Sequence, residues 1–140
     1  MVGVPHAVVP AAALEKTPVA EWGRVLRHAP AFGPAGANVN FFRVEGPRRL
    51  SVRTYERGVE AETMACGTGS VATALVAAAA GLVKSPVTVT TTGGEELTVH
   101  FRRRGGEYGE VFLEGRADVV YEGRTWEAPA APRPRQKGHR

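Results

Sequence analysis

The sequence contains only one cysteine, Cys66, so no disulfide bond can form within the chain. A lone cysteine suits a reducing compartment, and we therefore expect a cytoplasmic location. Residues 1–6 have no basic region and no long apolar run, so the sequence predicts no signal peptide. The Ala-rich part of the uncharged stretch 63–83 is too short, and too polar at its start, to predict a membrane span.

Aromatic residues are not interleaved within the basic cluster 102–104, as they would be on a surface that stacks nucleic-acid bases. The formal net charge of +4 could by itself suit an acidic partner. Much of the excess, however, lies in this cluster and in the basic C-terminal tail. We therefore expect neither a nucleic-acid partner nor a membrane partner.

The length of 140 residues and the hydrophobic content of 43% predict one globular domain with a substantial core. We assign residues 1–127 to this domain. Residues 128–140 are rich in proline and basic side chains, and we expect them to form a disordered, solvated tail.

The chain is organised around an uncharged stretch that starts as a Gly-rich turn, residues 63–69, and continues into an Ala-rich segment, residues 70–80. Alanine and leucine favour a helix, and Gly81 is a suitable residue just past its end. Because this helix has almost no polar face, we expect it to be buried in the middle of the fold. Cys66 would then lie at its N-terminus, where free backbone N–H groups and the helix dipole converge.

The predicted position of Cys66 has two interpretations. A helix N-terminus binds anions and favours a reactive thiolate over an inert thiol. Alternatively, a free cysteine is often a small, unreactive core residue. The stretch around Cys66 does not by itself decide between them.

Short apolar segments on both sides of this stretch predict strands, and one small helix precedes most of them. The small helix starts after Thr17-Pro18, a good N-cap followed by proline, and ends near Pro30. The predicted strands are residues 6–9, 38–45, 50–57, 86–92, 97–101, 110–113 and 117–121. These elements predict an α+β domain in which a highly curved antiparallel sheet or barrel wraps around the Cys66 helix.

Alternation along the strand 50–57 places Glu56 on the same face as Leu50, Val52 and Thr54. A carboxylate on an apolar face is costly unless it has a partner or a function. The strand could instead end at Tyr55, in which case Glu56 would simply be solvated.

Five segments, in this order along the chain, resemble the C-terminal half of diaminopimelate epimerase over roughly residues 3–127. These segments are 3–6, 37–41, 53–58, 62–69 and 93–94. The most specific part of the resemblance is the pair formed by Tyr-Glu-Arg-Gly at 55–58 and Ala-Cys-Gly-Thr-Gly at 65–69. The resemblance implies a curved sheet around one central helix, in agreement with the fold expected from the strand pattern.

The resemblance also implies a cofactor-independent isomerase that interconverts LL- and meso-diaminopimelate, on the route to lysine and to the bacterial cell wall. In this family two similar domains each contribute one cysteine to a cleft between them. One thiol removes the α-proton and the other delivers a proton to the opposite face. Cys66 matches one of these thiols, Glu56 matches its partner, and His6 matches the partner of the second cysteine. No metal is implied.

The substrate-binding residues that the resemblance implies are Asn38, Glu56, Arg57, Gly67 and Thr68. Asn38 and Arg57 match residues that hold the distal amino and carboxylate groups of the substrate, and an arginine fork suits a carboxylate. The backbone N–H groups of Gly67 and Thr68 would stabilise the negative charge that develops when the α-proton leaves.

Two departures from the family pattern affect these expectations. Val4 stands where many members have asparagine, so one polar substrate contact is missing or supplied elsewhere. More importantly, the chain has no second cysteine, and it begins about where the second domain of the family begins. We expect an isolated domain, a truncated product or half of a split enzyme. It would be inactive alone and would need a complementary N-terminal-type domain or a homodimer.

Two other functions stay open on the sequence. The first is a related isomerase of the same fold, such as a proline racemase-like enzyme, although Asn38 and the Glu56-Arg57 pair argue against it. The second is a non-catalytic interaction or nucleic-acid-binding module that uses the basic surface, although the cluster 102–104 lacks the interleaved aromatic residues that this function predicts.

Overall fold

The computed structural model describes residues 3–124. The two helices in this part of the chain are α1 (Val19–Leu26) and α2 (Gly67–Ala79). The strands are β1 (His6–Pro10), β2 (Asn38–Gly46), β3 (Arg49–Glu56), β4 (Ala61–Thr63), β5 (Val87–Thr90), β6 (Glu96–Arg104) and β7 (Glu107–Glu114). Short 3₁₀ turns occupy Leu14–Lys16 and Pro30–Phe32.

The seven strands form one curled sheet in the order β1-β2-β3-β5-β6-β7, with β4 paired to β3. The β1–β2 and β3–β5 pairs are parallel, and the other pairs are antiparallel. Parallel neighbours need a long crossover connection, and here α1 lies between β1 and β2 in the chain, while α2 lies between β3 and β5. The predicted α+β class with a curved sheet around the Cys66 helix is confirmed, as a half-barrel. The sheet is mixed and not antiparallel throughout, because the two helical crossovers make the β1–β2 and β3–β5 pairs parallel.

Both faces of the central strands β2 and β3 are covered, because α1 and α2 pack on opposite sides of the sheet. The α1 side is filled by Leu14, Val19, Val39, Phe41 and Tyr55. The α2 side holds a larger cluster that includes Phe42, Leu50, Val52, Val71, Val87, Val89 and Val99. Alternate residues of β2 and β3 therefore belong to different cores, as the period of two along a strand requires.

Helix α2 is buried on one side only. Residues such as Val71, Ala74 and Ala77 are buried against the sheet. On the opposite side Val76 is 47% exposed, and so is Leu82, which follows the helix. The helix is therefore buried on the side that faces the sheet, and its opposite side is open because a half-barrel covers only one side.

The predicted strand at residues 117–121 is also wrong, since these residues pair with no strand in the described part of the chain. Val119, Val120 and Tyr121 are 94%, 88% and 86% exposed. Apolar alternation stabilises a strand only where it can pair with a neighbouring strand, and this segment has no such pairing within residues 3–124. The predicted tail, residues 128–140, and the predicted domain boundary at residue 127 lie outside the described residues.

No helix within residues 3–124 is both long and apolar enough to cross a membrane.

Candidate active site

Three neighbouring strands carry a row of polar side chains on the face that packs against α2. In the β1–β2 pairing His6 lies opposite Asn38. In the β2–β3 pairing Asn40 lies opposite Thr54, so the same register brings Asn38 beside Glu56 at the end of β3. His6, Asn38 and Glu56 therefore form the outer row, and Asn40 and Thr54 lie one step further into the sheet.

The position of Glu56 decides between the two interpretations of its strand. β3 continues to Glu56, and Leu50, Val52 and Thr54 on the same face are all buried. The alternative in which the strand ends at Tyr55 is therefore wrong. Glu56 is half-buried at the edge of an otherwise covered face, next to the row of polar side chains.

Cys66 is the N-cap of α2, with extended backbone angles and no capping bond from its side chain. Its carbonyl oxygen accepts hydrogen bonds from the Ser70 N–H at 2.9 Å and the Ser70 hydroxyl at 3.0 Å. The Cys66 Sγ lies 3.6 Å from the Thr68 Oγ1. The first backbone N–H groups of a helix have no partner within the helix, and at this end of α2 they include those of Gly67 and Thr68.

Gly69 lets the first turn of α2 approach the polar side chains of the sheet. A Cβ at this position would lie 2.3 Å from Asn40 Oδ1 and 3.2 Å from Cys66 Sγ. The first distance is far below an ordinary contact, so only glycine fits. The absence of a side chain at Gly69 therefore brings the Cys66 turn directly against Asn40.

Asn38 and Arg57 are joined through the backbone. The Asn38 Oδ1 accepts a hydrogen bond from the Arg57 N–H at 2.8 Å, and the Asn38 side chain is buried. The Arg57 guanidinium only approaches the carbonyl oxygens of Ala35 and Gly36, at 3.5 Å each. Within residues 3–124 no carboxylate forms an ion pair with Arg57, so its fork is available to an external anion.

His6 is half-buried, and burial lowers the pKa of its imidazole, while the nearby Glu56 carboxylate opposes this by raising it. Its Nδ1 lies 3.2 Å from the Asn40 Nδ2. Its Nε2 is buried and has no hydrogen-bond partner in the described part of the chain. Burial therefore disfavours the charged form of this imidazole, which lies in the same row as Glu56.

The structure brings the residues singled out in the sequence to one edge of the sheet. His6, Asn38 and Glu56 share the row, Arg57 follows Glu56, and the Cys66 turn packs against Asn40, one step further into the sheet. Sequence reasoning missed Asn40, Thr54 and Gly69. The spacing of Asn38 and Asn40, which puts two asparagines on one face of a strand, was a signal for the first of these. Residues 3–124 contain no group of three or more side chains placed to hold a metal ion.

The lowered pKa of His6 predicts a pH dependence of stability. The unfolded chain binds a proton at His6 at a higher pH than the folded chain does, so stability rises with pH in this range. The contribution of neutral His6 is complete above the unfolded pKa of about 6.5 and is lost progressively below it. We expect the urea midpoint to fall between about pH 7.5 and about pH 5.5.

Replacing His6 by glutamine should flatten this dependence, because the amide does not titrate. Carboxylates such as Glu60 and Glu62 have lowered pKa values and contribute at more acidic pH. If the urea midpoint changed with pH by the same amount in the wild-type chain and in the His6→Gln variant, the prediction would be contradicted.

Comparison with known proteins identifies similar sequences and similar solved structures. Residues 1–120 match the family model described as diaminopimelate epimerase. The diaminopimelate epimerase of Aquifex aeolicus is 49% identical over 126 residues, which are 89% of this chain and 44% of that protein. The corresponding protein of Methanothrix thermoacetophila is 50% identical over 121 residues, 86% of this chain and 40% of that protein. The chain thus spans less than half the length of these curated relatives.

A crystal structure of a Bacillus anthracis phenazine biosynthesis protein of the PhzF family is similar to this chain with a TM-score of 0.52. The similarity covers 80% of this chain and 34% of that protein, at 22% sequence identity. At this identity the likeness concerns the fold alone.

Proposed function

The chain belongs to the diaminopimelate epimerase family, and from this membership we propose that it forms one half of a cofactor-independent epimerase acting on diaminopimelate. The observation that carries the proposal is the row of His6, Asn38 and Glu56 beside the Cys66 turn. The motifs that resemble the family in sequence thus meet in space, although they are far apart in the chain. The enzyme would interconvert the LL and meso forms for lysine and cell-wall synthesis.

In the proposed reaction Cys66 is one of two acid/base thiols. As a thiolate it takes the α-proton of the substrate, and the electron pair left on the α-carbon is delocalised toward the adjacent carboxylate. A second thiol, from another domain, gives a proton to the opposite face. In the reverse direction the two thiols exchange roles. We assign Glu56 as the partner of Cys66 and His6 as the partner of the second cysteine.

The backbone N–H groups of Gly67 and Thr68 support this role for the turn. Donors fixed in advance at a helix N-terminus stabilise charge that develops during proton removal without having to reorganise. Both groups directly follow Cys66 in sequence, and they belong to the first turn of α2. A substrate carboxylate at this helix end would therefore be held next to the sulfur.

Asn38 and Arg57 are proposed to hold the distal end of the substrate, with Glu56 contributing from the same row. The Arg57 fork has no carboxylate partner in residues 3–124 and can bind a carboxylate with two hydrogen bonds. An amide oxygen can accept two hydrogen bonds, so Asn38 Oδ1 keeps one acceptor position for an ammonium group besides its bond to the Arg57 N–H. Diaminopimelate has both groups at its distal end.

The proposal requires a second cysteine, and this sequence has only Cys66. We propose that a complementary N-terminal-type domain supplies it, or that a homodimer brings two Cys66 thiols to one cleft. Apolar side chains on the open side of the half-barrel support an association: Val76 and Leu82 are 47% exposed, and Leu113 is 45% exposed. Because a lone cysteine suits a reducing compartment, we place the enzyme in the cytoplasm.

Reconstitution in trans tests this proposal. The purified chain alone should not epimerise diaminopimelate, because inversion needs a thiol on each face of the α-carbon. Adding a cysteine-bearing domain made from the unmatched part of the Aquifex aeolicus relative should produce turnover, measured by chiral separation of the isomers. The control is the same domain with its cysteine replaced by alanine.

Light scattering over a concentration series distinguishes the two assemblies. Activity of the chain alone, together with a dimeric mass, would favour the homodimer. Robust activity from a strictly monomeric chain would contradict the proposal, since one thiol would then be sufficient.

A further inference from the structure

Asn40 is a buried polar residue on the α2 face of β2, and it contacts three other elements. It is 0% exposed. Its Nδ2 lies 3.0 Å from the carbonyl oxygen of Ala7 on β1. Its Oδ1 lies 3.0 Å from the Thr54 Oγ1 on β3. The same oxygen packs against Gly69 of α2. Such complete burial requires that each polar atom of the amide has a partner.

The orientation of the Asn40 amide follows from these partners. A backbone carbonyl can only accept, so the atom that faces the Ala7 oxygen must be the NH₂ group. The amide oxygen then faces Thr54, whose hydroxyl can rotate to donate to it. A flipped amide would put two oxygens against each other at Ala7. The environment therefore fixes which end of the Asn40 amide donates.

The second N–H of the Asn40 amide points at His6, whose Nδ1 lies 3.2 Å from Nδ2. Because this group of Asn40 is a donor, Nδ1 of His6 must present a lone pair. A neutral imidazole with a bare Nδ1 carries its proton on Nε2. We propose that Asn40 is a positioning residue that fixes His6 as the neutral Nε2–H tautomer, so that His6 offers a hydrogen-bond donor at Nε2.

The chemistry of this tautomer defines what His6 can bind. The Nε2 atom is buried and without a partner within residues 3–124, and a buried donor favours an acceptor, most strongly a charged one. His6 would thus stabilise an anionic acceptor, such as a thiolate or a carboxylate, and would not serve as a base at Nε2. This consequence rests on the proposed function, whereas the tautomer itself does not.

Two further features agree with this assignment. Protonation of Nδ1 would bring two donors face to face at Asn40, and the pKa of His6 is indeed lowered by its burial. In addition, the oxygen of the same amide packs under Gly69, next to the Cys66 sulfur. Asn40 thus orients His6 and contacts the helix turn that carries Cys66.

The tautomer can be measured directly by NMR on the full 140-residue chain with ¹⁵N-labelled histidine, near pH 7.5 and without substrate. Couplings from the two carbon-bound ring protons show which ring nitrogen carries hydrogen. His6 is assigned among the four histidines by loss of its signals in His6→Gln. We expect a protonated Nε2 and a bare Nδ1. A protonated Nδ1, or averaged signals from both tautomers, would overturn the inference.

Two variants test whether Asn40 is the cause. In Asn40→Asp the carboxylate accepts instead of donating, so the proton of His6 should move to Nδ1. Thr54→Val is the matched control, because it removes the bond to the Asn40 oxygen and leaves the Asn40 NH₂ group facing His6; here the tautomer should be unchanged. A folded Asn40→Asp chain that keeps the Nε2–H form would overturn the role of Asn40.

If Asn40→Asp does not fold, the wild-type and Thr54→Val spectra still decide: an Nδ1–H form in either overturns the inference. The outcome is also separate from that of the proposed function. An inactive reconstituted enzyme whose His6 carries its proton on Nε2 would contradict the function and leave the tautomer assignment intact.

Discussion

Replacing Cys66 by alanine should lower the turnover of the reconstituted enzyme by about 10²–10⁴-fold, the range typical of losing a positioned acid/base group. The side chain has no capping bond to the helix, so its removal should leave α2 in place. The loss should appear in kcat and in kcat/KM alike, because in the proposed reaction the thiol acts on the proton in the transition state. Both constants are obtained from initial rates of isomer conversion.

Cys66→Ser provides the matched control for shape. The serine places a hydroxyl where the Cys66 sulfur lies, 3.6 Å from the Thr68 Oγ1. At neutral pH this hydroxyl is a far weaker acid than the thiol, and it supplies no anion to act as a base. The serine variant should therefore be almost as inactive as the alanine variant, with an unchanged melting temperature. Retention of more than about a tenth of the wild-type rate in Cys66→Ala would remove the thiol from the chemistry.

Gly69→Ala should destabilise the chain even though alanine favours a helix interior over glycine by about 1 kcal/mol. The new Cβ would lie 2.3 Å from Asn40 Oδ1. This oxygen cannot retreat, because Ala7 and Thr54 hold the two ends of the Asn40 amide. Forcing atoms into a packed region costs about 1–3 kcal/mol or more, so we expect a clear fall in the melting temperature, of roughly 3–15 °C.

Gly67→Ala is the control for this effect within the same helix. Its Cβ would meet only Leu113 Cδ2, at 3.0 Å. That atom is the end of a flexible side chain that is 45% exposed, so it can move aside. Calorimetry should show a change within about 1 kcal/mol for Gly67→Ala. A Gly69→Ala chain as stable as the wild type would show that α2 does not approach Asn40 this closely.

The elements of the fold could largely be predicted from local patterns. Alternation in β3 correctly put Glu56 on the buried face, and the Ala-rich run correctly put Cys66 at a helix N-terminus. The prediction of a strand at residues 117–121 was wrong, because alternation does not reveal whether a sheet edge is available to pair with the segment. β4 (Ala61–Thr63) was missed because three residues are too few to show a period.

The candidate site could be predicted only in part, and the reason lies in the register of the strands. Family motifs pointed to His6, Asn38 and Glu56, but the motifs do not show which side chains meet. Asn40 and Gly69 are 29 residues apart in sequence, and their contact depends on how α2 packs across β2. A polar residue in a strand and a glycine in a helix have no local signature of such a contact.

Exchange of the α-hydrogen in deuterated water tests the central claim, that the Cys66 turn is half of a two-sided proton-transfer site. Diaminopimelate is incubated with the chain, with the complementary cysteine domain, or with both, and its α-proton signal is followed by NMR. The account predicts loss of the α-proton signal in the mixture and none with either part alone or with Cys66→Ala in the mixture. Exchange that persists in the mixture containing Cys66→Ala would contradict it.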